Sequence, residues 1–321
     1  MFIRLKKIAI ICCLTIVSFL FTGVGQAYVL QGLHLIDLMI EQLGEARSLY
    51  VSQQVIFYRS ISQAEIDADE AVEEIQPLDY SETDLPAEQK IELDEDVRVE
   101  ETLELDETLR FDLSINAFRS DAESYDSERI YVVADNRSVT IIDGNIVPPV
   151  ANRFDLYKDI FLYRTREGLA DRLLQLGVDV SVSSLGRFEG EIAFVIGAIY
   201  PDESVSQIWI DRETFLPVRW IIRGYGASTE RDVLEVRYLN WWKSGQSRYP
   251  SRIEFYQDDK LVRVNQIKNF REGDVFAADF FDIDQLRANY PQAPAQPLVP
   301  GEPEEPSEVQ KTIDEFKRVF E

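Results

Sequence analysis

QIWIDRETFLPVRWII, residues 207–222, reads as two strands joined by a turn. Ile208 and Ile210 share one face of the first strand, and Trp220 and Ile222 share one face of the second. The opposite face mixes Trp209 and Ile221 with Gln207, Arg219 and Arg223. Side chains alternate across a strand, so this pattern describes an antiparallel hairpin with one wholly apolar face. Nothing in it serves as a nucleophile, a metal cage or a phosphate cradle.

The same period continues outward. Leu234, Val236 and Tyr238 share a face, backed by Glu235 and Arg237, and Ile253 and Phe255 repeat the pattern. Upstream, TLRFDLSINAF (108–118) alternates throughout: Leu109, Phe111, Leu113, Ile115 and Ala117 against Arg110, Asp112, Ser114 and Asn116. It is expected to be one half-wet strand. Asp143-Gly144 marks a tight hairpin, because such turns need positive φ. About eleven strands follow from this reading, with helices at 33–48 and 154–177. Gly177 is expected to stop the second helical region.

A broad sheet with one apolar face must cover it with a second sheet, with helices, or by curling on itself. The helices here are few and short. Periodicity alone does not separate a filled interior from a hollow one.

The ends and one insertion stand apart. Arg4, Lys6 and Lys7 precede an apolar run, Ile8 to Phe21, too short for a comfortable membrane span. Gly25-Gln26-Ala27 then supplies small residues, so cleavage is expected after Ala27, with a retained anchor as the alternative. A lipidated cysteine does not fit, since Cys12 and Cys13 lie inside the apolar run. Cleavage removes both cysteines and with them any disulfide, thiolate nucleophile or cysteine metal site. Residues 61–107 carry 19 acids against Lys90 and Arg98. Self-repulsion and little apolar content predict a solvated, disordered insertion there; a lure for a basic partner or weak calcium binding are the other readings. No calcium-loop spacing occurs in it. PQAPAQPLVPGEPEEP (291–306) has six prolines and reads as an extended linker, and 307–321 as an amphipathic helix. The body of the fold is therefore placed at 28–290.

The formal net charge of −25 sets nucleic acid and anionic lipid surfaces aside as direct partners. The lone histidine, His34, lies on the first helix, which leaves zinc sites and histidine triads without a second member. No G-x-S-x-G, phosphate loop or dinucleotide fingerprint is present, so neither a catalytic residue, a metal nor a cofactor is expected. An enzyme using paired carboxylates would need a defined pair, and none stands out.

The order of these motifs adds a resemblance. YVSQQV on the first strand, LRFDLSINAFRSD, IWIDRETFLPVR, RYPSRIEF and a terminal FFDI, spread over about 30–285, resemble the LolA-like outer-membrane lipoprotein-sorting superfamily. The resemblance implies an α+β, mainly β fold: a half-open antiparallel β-barrel of about eleven strands under a few helices. It also implies an apolar cavity that takes lipid or lipoprotein acyl chains in the periplasm, without catalysis. The residues expected to line it are Leu109, Phe111, Leu113, Ile208, Ile210, Trp220, Ile222, Val236, Tyr238 and Phe255. The family's early-strand arginine helps hold the helical lid, which points to Arg119 in AFRSD, although the proline often found before that F-R pair is absent. The acidic insertion and the proline-rich tail are extra to the family. They point to a further reading, an envelope-assembly or sensor module that captures a protein partner.

Overall fold

The computed structural model describes residues 29–62, 97–125, 127–148, 152–224, 233–277 and 279–293, with side chains described outside 59–62 and 97–102. The leader at 1–27, most of the acidic insertion, and the tail from 294 onward lie outside the described residues.

Helix α1 spans Gly32–Leu43 and ends at Gly44. Strands β1 (Ser48–Ser62), β2 (Val97–Asp112), β3 (Ala117–Glu123), β4 (Glu128–Ala134), β5 (Arg137–Ile142) and β6 (Asn145–Val147) follow. A helical segment comes next: a 3-10 turn at Arg153–Lys158, α2 at Asp159–Leu162 and α3 at Arg166–Gln175. Strands then resume as β7 (Ser183–Phe188), β8 (Glu191–Ile196), β9 (Gln207–Asp211), β10 (Pro217–Arg223), β11 (Val233–Ser244), β12 (Ser247–Gln257) and β13 (Lys260–Glu272). Helix α4, Ile283–Asn289, ends the described chain.

The described strands form one sheet of 13, in the order β6-β5-β4-β3-β2-β1-β13-β12-β11-β10-β9-β8-β7. Every neighbouring pair is antiparallel. β6 and β7 stand at opposite ends, so the sheet is open. The fold is mainly β with few helices, as expected, but with 13 strands in place of eleven.

The two added strands are β3, split from β2, and β6, which follows the Asp143-Gly144 turn. TLRFDLSINAF is not one strand: β2 ends at Asp112, and the chain reverses through Leu113–Asn116. Asn116 has φ 51°, a left-handed position that asparagine tolerates, and Asp112 accepts from the Ser114 backbone, so the turn is marked by Asp112, Ser114 and Asn116 rather than by glycine. Phe111 pairs with Phe118 across this hairpin, Ile115 is exposed at its tip, and Ala117 faces away from Phe111. The acidic stretch is also shorter than expected, because β2 takes up residues from Val97 onward and pairs with β1 as far as Ser62. Leu103 and Leu105 point to the core while Glu104 and Asp106 point to water, so alternation outweighs net charge there. The Asp143-Gly144 turn forms as expected, with φ 49° and 73°.

The sheet is rolled, and one short segment shows by how much. The Lys158 ammonium lies 5.1 Å from the ring of Tyr131 on β4, and the Phe161 ring lies 5.8 Å from that of Tyr238 on β11. β4 and β11 are six strands apart in the sheet order, roughly 29 Å on a flat sheet at about 4.8 Å per strand. Two residues three apart on a helix reach both only if the sheet wraps round them. Helix α1 closes another side. Leu30, just before it, accepts a hydrogen bond from Ser183 of β7 at 2.7 Å, and Gln42 accepts from Arg248 of β12 at 2.7 Å.

Three apolar clusters result. The largest lies on the concave face and draws buried residues from nine strands and from all the helices before β7. A second, on the convex face of β3–β6, packs Val132, Val139, Ile141 and Ile146 under Phe281, Ile283 and Leu286 of the C-terminal segment. A third, on the convex face near β8 and β9, centres on Trp209. Gly186 of β7 is required there: a Cβ would sit 2.6 Å from the Trp209 ring.

Candidate binding trough

All ten residues expected to line a cavity do lie on the concave face, in one cluster, and all are buried. Nine of them hold the inward phase of a strand, and Leu113 follows from the turn after β2. Trp220 pairs with Ile208 and Val236, and Phe255 also pairs with Val236.

The space they enclose is filled. Residues 153–162 lie along the trough as a plug, contributing Phe154, Leu156, Tyr157, Ile160, Phe161 and Leu162, all buried. Phe154 packs edge-on to Phe57 at 6.5 Å and to Phe255 at 5.8 Å. Tyr157 stands perpendicular to Phe255 at 5.5 Å, and Phe161 lies 4.4 Å from Tyr249. The expected open apolar space between sheet and helices is thus occupied by the chain's own aromatic side chains. Helical periodicity at 154–177 marks a helix, but does not say that the helix enters the roll.

A polar band crosses the apolar floor. Gln53 (β1), Glu107 (β2), Ser120 (β3), Arg263 and Asn265 (β13) are all buried and sit on neighbouring strands. Gln53 donates through Nε2 to Glu107 at 2.6 Å and to the Tyr157 hydroxyl at 3.1 Å. Ser120 donates to Glu107 at 2.5 Å, Arg263 donates to Asn265 at 2.7 Å, and the Arg263 guanidinium lies 3.7 Å from Glu107. This band was not among the residues expected from the sequence. Its signal was available as a break of phase: Glu107 stands inward between Leu105 and Leu109, and Gln53 between Val51 and Val55.

The plug also carries charge into the interior. Arg129 of β4 donates to Asp155 at 2.8 Å, and Lys158 donates to the Asp155 carbonyl at 2.6 Å. Asp159 receives Arg172 of α3 at 2.7 Å and faces Lys158 at 3.6 Å. Lys158 further lies over the rings of Phe118 and Tyr131. Burial opposes ionisation of Asp155, yet the charges of Arg129 and Lys158 outweigh it and hold its carboxyl below the usual range. Burial also works against the Lys158 ammonium, but Tyr131, Asp159 and Asp155 together raise it. Burial, with Glu107 nearby, pushes the Tyr157 phenol up, so it remains protonated.

Arg119 does not contact the helical cover. It lies on the convex face, paired with Asp121 at 2.8 Å and stacked 4.6 Å from Phe280 of the C-terminal segment. The inward positions of β3 belong to Phe118, Ser120 and Ala122, so an arginine one residue on from Phe118 must face outward. His34 is exposed on α1. Among the described residues no group of three acidic, histidine or cysteine side chains could hold a metal ion, and no helix is long and apolar enough to cross a membrane.

Fold and site together define an open, rolled antiparallel sheet whose apolar concave face is covered by short helices. No family profile and no curated protein matches the chain. Solved structures similar to it include an outer-membrane lipoprotein-sorting protein domain from Vibrio parahaemolyticus, at 10% identity and TM-score 0.37, over 79% of this chain and 97% of that one. A LolA superfamily protein from Nitrosomonas europaea is similar at 9% identity and TM-score 0.36, over 80% of this chain and 100% of that one. MucB is similar at 13% identity and TM-score 0.26, over 84% of this chain and 68% of that one. The solved structures that match thus include the superfamily that the strand motifs resemble. At TM-scores this low they add nothing to the strand order and register given above.

Proposed function

We propose that the protein is a non-catalytic binding protein of the cell envelope. It holds an acyl chain of a lipid or lipoprotein in the trough, in the place taken here by residues 153–162. The observation that carries this reading is the trough itself: an apolar face contributed by nine strands, covered by a ten-residue plug rather than by a second sheet.

The energetics suit exchange. A chain of about 16 carbons gains roughly 12 kcal/mol on burial at about 0.8 kcal/mol per methylene. The six apolar plug side chains gain about 9–18 kcal/mol at about 1.5–3 kcal/mol each. Swapping one for the other is therefore near balance, which is what a carrier that must release its load needs. The buried ion pairs of the plug oppose the swap, since its departure takes Asp155 from Arg129 and Asp159 from Arg172. In this reading the leader at 1–27 directs export to the periplasm and is removed. The acidic insertion and the helix at 307–321 are where an envelope protein would dock.

A second reading rests on the same plug. If it never leaves, the roll is a solid scaffold, and the protein acts through protein contacts. Lipid extraction of the purified protein followed by mass spectrometry, with displacement of a fluorescent fatty acid, separates the two. Bound lipid and displacement support the carrier; neither would leave only the scaffold.

A further inference from the structure

Immediately after the plug, Arg164 lies in the loop between α2 and α3. Its Nε donates to the Phe161 carbonyl at 2.9 Å, but Nη1 and Nη2 are covered and have no acceptor. The Tyr249 hydroxyl on β12 and the Trp241 indole Nε1 on β11 are likewise covered and unpartnered. Phe161 neighbours all three residues. Its carbonyl holds the arginine, and its ring lies 4.4 Å from Tyr249 and 6.1 Å from Trp241. Three other interior guanidinium groups face a carboxylate: Arg129 meets Asp155, Arg219 meets Glu235, and Arg263 meets Glu107. Among the described residues, none accepts from Nη1 or Nη2 of Arg164.

A guanidinium taken out of water without an anion is strongly unfavourable. Burial pulls Arg164 down to about 10, with Tyr249 acting weakly against the fall. Guanidinium and indole only donate, and a phenol can donate. Three donors with one positive charge complement an acceptor-rich anion.

We propose that Arg164, Tyr249 and Trp241 form an anion-binding site beside the plug, taking the carboxylate or phosphate head of an amphiphile whose chain lies along the apolar strands. The chain part rests on the carrier reading above; the anion part does not.

Calorimetric titration with hexadecanoate, hexadecyl phosphate, methyl hexadecanoate and inorganic phosphate tests it. A charged amphiphile should bind at least about tenfold tighter than the neutral ester, a difference of about 1.4 kcal/mol. Whichever charged head binds tighter identifies the group. Arg164→Gln should reduce charged ligands to the ester's affinity and leave the ester unchanged. Tyr249→Phe, which keeps the ring, should lose about threefold. Equal affinities for acid, phosphate and ester, or charged ligands indifferent to Arg164→Gln, overturn the proposal. If no chain-bearing ligand binds, the carrier reading fails and inorganic phosphate decides the site. A rise in melting temperature with phosphate that Arg164→Gln abolishes supports it, and no such rise overturns it. Ligand-free Arg164→Gln should melt at or above the wild type, because an unpaired charge is gone. Melting several degrees lower would mean the guanidinium is already satisfied, which also overturns the proposal.

Discussion

The side chain of Gln53 ties the plug to the floor of the trough: its Nε2 reaches the Tyr157 hydroxyl at 3.1 Å and the Glu107 carboxylate at 2.6 Å. The plug is thus latched by a polar contact inside an apolar roll. Tyr157→Phe removes only that hydroxyl. A net hydrogen bond is worth about 1 kcal/mol, and leaving Gln53 less satisfied adds to the loss, so destabilisation of about 1–2 kcal/mol is expected. The loss should be local. Hydrogen exchange at residues 153–162 should accelerate while the β1–β13 ladder stays protected. Uniform acceleration would show that plug and sheet open together.

Acid should loosen the same segment. The Asp155 carboxyl is held below its ordinary 3.8 because Arg129 and Lys158 outweigh the effect of burial. A carboxyl lowered in the folded state binds fewer protons there than in the unfolded chain. It therefore contributes stability above about pH 3.8, lost as pH falls through the folded value. Asp155→Asn removes this contribution and takes away the carboxylate that Arg129 meets. A cost of about 3–5 kcal/mol at neutral pH is expected, as for one partner of a buried pair. Urea unfolding from pH 7 down to pH 2 checks it: the gap between wild type and variant should narrow below pH 4. A constant gap would remove Asp155 from the acid response.

What could be read from the residues was the phase of the strands. Period two assigned Ile208, Trp220, Val236 and Phe255 to one face, and they meet there. Curvature was not legible, because alternation is the same in a flat sheet and a rolled one. The extra hairpin was hidden because its turn residues, Asp112, Ser114 and Asn116, also fit the polar face of a single strand. The plug was hidden too: burial in a trough and burial against a sheet leave the same apolar spacing in FDLYKDIFL. Arg119 was misplaced because unbroken alternation from Leu109 carries it to the apolar face, whereas the hairpin at 113–116 resets the phase and turns Phe118 inward. The polar band could have been found, since Glu107 and Gln53 interrupt otherwise apolar phases.

On the convex side of the hairpin that defines the fold, Arg219 is held between Glu203 at 2.6 Å and Glu235, which also receives Arg237. Glu235 is buried, and its loss leaves two guanidinium groups short of a partner. Glu235→Ala should cost about 3–5 kcal/mol in urea unfolding. Because the cluster lies across the sheet from the trough, acyl-chain displacement measured on the folded variant should not change. A parallel loss of displacement would mean that the two faces are coupled.

The convex position of Arg119 gives the last test. Its guanidinium stacks 4.6 Å from Phe280 and donates to the Phe280 carbonyl at 3.4 Å, so it fixes the C-terminal segment rather than the helical cover. Phe281 carries most of that docking, buried against β3–β6. Phe281→Ala should cost about 3–5 kcal/mol by opening a cavity. Arg119→Ala should cost only about 1 kcal/mol, the scale of a partly exposed cation–π contact. Neither should change hydrogen exchange at 153–162 beyond the global loss of stability, whereas both should raise exchange at 276–290. If Arg119→Ala instead releases the plug selectively, the arginine acts through the sheet on the helical cover, and its role is the one the family resemblance implied.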